Sequence, residues 1–267
     1  MSDDILERPP PKADAHIAYG AQPSQFGELF LPKGSGPHPV VIAIHGGFWR
    51  VQYDLHHLGH LCAALAHAGY AVWSLEYRRL GEAGGGWPGT FEDVATGAAH
   101  LQQIAMAHNL DMNHTISLGH SAGGHLALWL AARHKLAPTN PFNAIPKLTL
   151  RGVVPLAAVS DLVLGARLGL SGSVVEALLG GAPDVVPDSY ALASPSALLP
   201  LGVGQHIVHG VRDDIVPYQM SRLYSEAARK AGDAAVLDTI DNAGHFELID
   251  PESSAWPTVA AAVRALI

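Results

Sequence analysis

Residues 119–123 read Gly-His-Ser-Ala-Gly, a G-x-S-x-G pattern centred on Ser121. A serine hydroxyl can attack a carbonyl carbon if the chain presents it and a base relieves it of its proton. The flanks suit presentation. Residues 115–118, Thr-Ile-Ser-Leu, can form a short buried strand, and residues 124–132 are rich in helix formers. A strand that turns sharply into a helix strains the turn residue and lifts its Oγ clear of the sheet. Glycine on each side removes the crowding a Cβ would create. Five small residues also occur together by chance, so the partners decide.

A base and an orienting carboxylate are expected just after strands, because active sites of open α/β sheets lie beyond the carboxyl ends of the strands. His245 lies in Asp241-Asn242-Ala243-Gly244-His245-Phe246, after one such run. Asp213 lies in His209-Gly210-Val211-Arg212-Asp213-Asp214-Ile215-Val216-Pro217, after another. His245 can take the serine proton and return it to the leaving group, and a carboxylate must fix its tautomer. Asp214 rivals Asp213 for that role; the familiar spacing H-G-x-x-D-x-x-V-P favours Asp213. A developing oxyanion needs two or three backbone N–H donors. Ala122, next to the serine, should give one. His45-Gly46-Gly47-Phe48-Trp49, after an early strand, should give the others, from Gly47 and Phe48 first and Gly46 as an alternative. A plain glycine turn is the competing reading of that loop.

These residues need a frame. Strand-like runs fall at 39–44, 70–75, 115–118, 150–159, 205–209 and 234–240, and helix-like runs at 55–68, 90–109, 124–132, 217–231 and 253–266. Gly69 is placed to end a helix and Thr90 to cap one. The alternation predicts an α/β fold, a mostly parallel central sheet with helices on both faces. Residues 1–25 look like a polar lead-in, and 26–267 like a single domain. Residues 160–204, broken by Gly172, Gly180-Gly181 and several prolines, read as a small cap or pocket wall inserted between strands.

Composition bounds the function. The chain has 267 residues, 48% hydrophobic and 15% charged, enough for a large packed core. A formal charge of −8 gives no basic footprint for nucleic acid or an anionic membrane. Cys62 is the one cysteine, so no intrachain disulfide forms. The acidic N-terminus lacks a signal-peptide pattern and no apolar run approaches the roughly 18 residues of a membrane span. A cytoplasmic protein is the expectation.

In order, these motifs resemble the α/β-hydrolase superfamily, whose triad follows the chain order Ser, Asp, His. Within it the chain is similar to the esterase and kynurenine formamidase (arylformamidase) group with an H-G-G-x-W loop. The resemblance covers about residues 26–267. It rests on His45 to Trp49, Glu76-Tyr77-Arg78, Gly119 to Gly124, His209 to Pro217 and Gly244-His245. Phe48 stands where hormone-sensitive-lipase-like esterases have a third glycine, and Tyr77-Arg78 is not followed by L-A-P-E. Both departures point towards the formamidase type. The resemblance implies an α/β-hydrolase fold and a serine hydrolase of short-chain or aryl carboxylic esters. Arylformamidase action on N-formylkynurenine is the alternative, and a small peptidase or a non-catalytic binding protein comes further behind. The expected partner is a small-molecule ester or formamide, with no nucleic acid, no membrane, no cofactor and no metal; a homodimer stays open.

Other residues carry two readings. Trp49, Trp87, His120 and Phe246, with Phe48, could line an aromatic substrate pocket or simply pack in the core. Glu76 and Arg78 suggest a structural ion pair beneath the oxyanion loop. His56, His57 and His60 share a predicted helix, but with no Glu in the H-E-x-x-H pattern and 16 histidines in the chain, clustering by chance outweighs metal binding. Cys62 reads as core.

Overall fold

The computed structural model describes residues 3–267. Its strands are β1 (Ala15–Ala18), β2 (Phe26–Phe30), β3 (His38–Ile44), β4 (Ala71–Leu75), β5 (Leu110–His120), β6 (Gly152–Leu156), β7 (Gly204–Gly210) and β8 (Ala235–Ile240). They form one sheet in the order β1-β2-β4-β3-β5-β6-β7-β8. β1 and β2 run antiparallel to their neighbours, and every pairing from β4 to β8 is parallel. The helices are α1 (Gly59–His67), α2 (Gly89–Ile104), α3 (Ala122–Ala132), α4 (Leu162–Arg167), α5 (Val174–Leu179), α6 (Pro187–Ala193), α7 (Tyr218–Lys230) and α8 (Trp256–Leu266).

The side-chain alternation of a strand splits the core in two. On β3, Val40, Ile42 and Ile44 face the layer of α2, α3 and α7, whereas Val41 and Ala43 face α1 and α8. Both faces are therefore covered, which is why the central strands are continuous apolar runs. All residues of α3 are buried, as a helix apolar all round requires. Trp129 on α3 is fully buried, and truncating such a side chain costs about 3–5 kcal/mol.

Several boundaries differ from the sequence reading. Within the stretch read as a lead-in, β1 pairs with β2 through Ala15 and Leu29. β1 is short and alternates half-buried with exposed positions, too little apolar signal to announce a strand. The helix expected over 55–68 splits into a 3-10 turn, Leu55–Leu58, capped by Asp54, and then α1. Gly69, at φ +103°, follows that helix as expected. β6 stops at Leu156 because Ala157 turns to φ +45°.

The 160–204 segment holds α4, α5 and α6 against the scaffold. His125 Nε2 lies 3.0 Å from the Ala193 carbonyl, and Trp129 Nε1 donates to the Leu192 carbonyl at 3.0 Å. Arg50, just past the glycine loop, reaches Ser171 Oγ at 2.9 Å. Among the described residues no helix is long and apolar enough to cross a membrane.

Candidate active site

Four chain segments leave the carboxyl ends of β3, β5, β7 and β8 and converge, as the parallel sheet requires. Ser121 sits between β5 and α3 at φ +57°, ψ −120°, a backbone conformation costing about 1–3 kcal/mol. Its neighbours explain the glycines. A Cβ on Gly119 would lie 2.1 Å from the Gly123 carbonyl oxygen, and one on Gly123 would lie 1.9 Å from that of Ile44. No other residue lets strand, turn and helix pack this closely.

Asp213 and His245 meet beside it. His245 Nδ1 lies 2.7 Å from Asp213 Oδ2. Oδ1 of Asp213 accepts the backbone N–H groups of Ile215 and Val216 at 2.9 and 2.8 Å. His209 Nε2 donates to the Val216 carbonyl at 3.0 Å and lies 3.2 Å from Oδ2, and its Nδ1 lies 2.7 Å from Ser221 Oγ. Burial alone would raise the Asp213 carboxyl, but the hydrogen bonds from His209 and His245 outweigh it and hold the group well below the usual carboxylate range. Asp214 is exposed. Sequence reasoning did not find His209, whose role appears only when β7 and the following turn fold back on themselves.

Ser121 and His245 line one cavity of about 70 Å³. Gly47 and Phe48 line it too, along with Tyr53, His57, Ile215 and Phe246. The N–H groups of Gly47 and Phe48 donate to no backbone acceptor among the described residues. Ala122 begins α3, where an N–H has no intrahelical acceptor. The positive φ of Gly47, +97°, and the Tyr53 ring packed where its Cβ would stand leave room for glycine alone. Ser121 Oγ and His245 Nε2 are not hydrogen-bonded in this structure, a contact that commonly tightens only with substrate in place.

The aromatic residues divide. Phe48 and Phe246 line the cavity, but Trp49, Trp87 and His120 do not. The chain turn at Trp49, φ +56°, directs its ring into the core, edge-on to His125 at 5.2 Å. Trp87 packs on Phe91 and Phe142, at 4.8 and 5.3 Å. His120 lies beneath the site, its ring 4.3 Å from that of His245. Tyr53, His57 and Ile215, by contrast, reach the cavity without any sequence signal for it.

The glycine loop rests on Glu76. Its Oε1 lies 2.9 Å from His45 Nε2, and its Oε2 accepts the Leu55 N–H at 3.1 Å. Tyr77 stacks on His45 at 4.3 Å and donates to the His45 carbonyl at 2.8 Å. The arginine facing Glu76 is Arg79, at 3.3 Å, rather than Arg78. Arg78 instead makes a two-pronged bond with Asp93, at 2.8 and 2.7 Å, because successive residues of an extended chain point opposite ways.

The remaining candidates take structural places. His56 pairs with Asp54 at 3.1 Å, and His60 Nε2 lies 3.4 Å from the Arg8 carbonyl. Among the described residues no group of three or more His, Cys, Asp or Glu side chains could hold a metal ion. Burial pushes the Cys62 thiol up to about 12, so it is an unreactive core residue.

Sheet order, strained serine and convergent loops define the α/β-hydrolase class. The fold is matched at TM-score 0.80 by esterase B of Lactobacillus rhamnosis, at 21% identity over 94% of this chain and 83% of that one. A carbohydrate esterase from gut microbiota matches at 0.79, at 21% identity over 96% of each chain. The chain belongs to the BD-FAE family, whose model matches residues 28–227. Curated relatives include a probable isoprenylcysteine alpha-carbonyl methylesterase of Arabidopsis thaliana, 23% identical over 87% of this chain and 50% of its own length. The esterase LipC of Mycobacterium tuberculosis is 25% identical over 88% and 60%. Kynurenine formamidase of Danio rerio is 21% identical over 88% and 75%. This chain thus spans about half to three-fifths of the first two of these relatives.

Proposed function

We propose that the protein is a serine hydrolase of short-chain or aryl carboxylic esters, acting through an acyl-enzyme on Ser121. The observation that carries this reading is the shared cavity: a strained, presented Ser121 beside a His245 whose Nδ1 is tied to a buried Asp213. In the reaction Ser121 Oγ attacks the ester carbonyl while His245 Nε2 takes its proton. The N–H groups of Gly47, Phe48 and Ala122 receive the oxyanion. His245 then gives the proton to the departing alcohol, and a water deprotonated by His245 releases the acid. Asp213 keeps Nδ1 protonated and steadies the imidazolium. The residues supply nucleophile, base and charge stabilisation without a cofactor.

Cavity size supports a short acyl group. One water needs on the order of 10–15 Å³ of such space, so about 70 Å³ accommodates a few heavy atoms. A formyl group also fits, and the formamidase of Danio rerio is among the relatives, so hydrolysis of N-formylkynurenine is the second reading. The test is kcat/KM for N-formylkynurenine against p-nitrophenyl acetate and butyrate, with Ser121→Ala as control. Acetate cleavage well above formamide and butyrate turnover is expected, with all three abolished in a folded Ser121→Ala protein. A large preference for the formamide would replace the ester reading with the second one. Full activity in Ser121→Ala would overturn both.

A further inference from the structure

His120 directly precedes the nucleophile, yet it is fully buried and does not line the substrate cavity. Its ring is closely enclosed. The His245 ring lies 4.3 Å away, the His57 ring 5.0 Å away, and a Cβ on Gly46 would stand 3.3 Å from its Nδ1. Both ring nitrogens have partners. Nε2 lies 3.0 Å from the backbone carbonyl of His245, and a carbonyl oxygen only accepts. Nε2 therefore carries a proton. Burial holds His120 well below its ordinary value, with repulsion from His245 and His57 adding to it, so the ring is neutral and Nδ1 is an acceptor. His57 Nε2, 2.7 Å away, donates to it. The bonds run one way, from His57 through His120 to the His245 carbonyl.

That carbonyl belongs to the general base. His245 stands in a turn, between β8 and the 3-10 helix Phe246–Ile249, rather than inside a strand or a long helix. Asp213 holds one of its ring nitrogens, Nδ1. A bond to the ring does not by itself fix the main chain that carries it. The base must keep its other nitrogen within hydrogen-bond reach of the proton it takes, and a misplacement of about 1 Å can cost roughly two orders of magnitude in rate. His120 supplies a second hold, on the backbone of the same residue. Its neutral ring also suits the place, because a second cation so near would oppose the imidazolium that forms on His245 during turnover. We infer that His120 is a positioning residue for the base: its Nε2–H anchors the His245 carbonyl and aims the imidazole at Ser121, while His57 fixes the tautomer that makes this bond. The inference rests on the Ser121 reading.

Two amides separate the two ends of this ring. A glutamine amide nitrogen can stand where Nε2 stands and keep the bond to the His245 carbonyl. An asparagine amide reaches only as far as Nδ1, so it can accept from His57 but cannot donate to His245. The experiment measures kcat and KM on p-nitrophenyl acetate for the wild type, His120→Gln and His120→Asn, with folding checked by circular dichroism. His120→Gln is expected to keep most of the wild-type kcat, and His120→Asn to lose about tenfold or more of it with KM little changed. His120→Asn at the wild-type kcat, the two variants falling together, or a loss carried by KM overturns the inference and leaves the serine mechanism standing. A wild type that cleaves no ester overturns the serine mechanism and the inference with it. A second measurement needs no variant and no turnover: side-chain ¹⁵N NMR of the wild type at neutral pH. A proton on Nε2 of His120 and none on its Nδ1 are expected; a proton on Nδ1 overturns the inference.

Discussion

Asp213 has three hydrogen-bond donors on its two oxygens, whereas, among the described residues, groups around Ser121 hold donors and acceptors that no protein atom uses. On the acid side, Ile215, Val216 and His245 all donate to one buried carboxylate, with His209 Nε2 3.2 Å from it. On the nucleophile side, the N–H groups of Gly47 and Phe48 and Nδ1 of His57 lack partners among the described residues. The first arrangement fixes a charge in one place before substrate arrives. The second leaves room for charge and polarity that only substrate brings. Electrostatic catalysis asks for both: donors already oriented, and a developing charge that finds them unspent.

Removing the fixed charge should break this contrast most severely. Asp213→Asn is expected to lower kcat on p-nitrophenyl acetate by about 10⁴ with little change in the folded circular-dichroism spectrum, because His245 is then held in the wrong tautomer. A loss under tenfold would pass the role to Asp214.

His209→Phe removes a ring nitrogen 3.2 Å from the same carboxylate, frees the Val216 carbonyl and leaves Ser221 Oγ without its nitrogen partner. The expected loss is about tenfold in kcat and about 1–3 kcal/mol in stability by urea titration. An unchanged kcat would mean that His245 and the two backbone donors suffice.

Acid should destabilise the scaffold through its buried neutral histidines. Burial brings His125 down to about 4, with a hydrogen bond to the Ala193 carbonyl opposing it. The unfolded value, about 6.5, is higher, so the unfolded chain binds this proton first. The stabilisation is full above pH 6.5 and drains as pH falls towards 4, at about 1 kcal/mol per pH unit. In His125→Gln that slope should flatten over the same window in denaturant titrations at pH 7, 6 and 5. An identical slope in both proteins would remove His125 from the account.

The smallest effect is expected at Trp87, which packs outside the cavity. Trp87→Phe should leave kcat/KM for p-nitrophenyl acetate within about twofold, as for a surface or satellite change distant from the chemistry. A tenfold rise in KM would return Trp87 to the substrate pocket.

How far the sequence carried depended on whether a feature is local. Gly119, Ser121 and Gly123 make their geometry within five residues, so the turn was legible. Asp213 and His245 were legible because each follows a strand whose end the sheet must bring to the same edge. β1 was not, since its stability comes from pairing with β2 rather than from its own pattern. Glu76 faces Arg79, not the neighbouring Arg78, because one step along an extended chain reverses the side chain, a difference that spacing alone does not reveal. His57, grouped with His56 and His60 by spacing, reaches the site, where it meets His120, 63 positions away. Trp49 and Trp87 have the composition of a pocket, but the turn at Trp49 and the packing of Trp87 on Phe91 and Phe142 take both rings away from it.

Covalent labelling of Ser121 tests the central claim most directly. A fluorophosphonate probe followed by peptide mass spectrometry should modify the wild-type protein stoichiometrically at Ser121 and leave Ser121→Ala unmodified. A folded wild-type protein that takes no label, or takes it on another residue, would contradict the account.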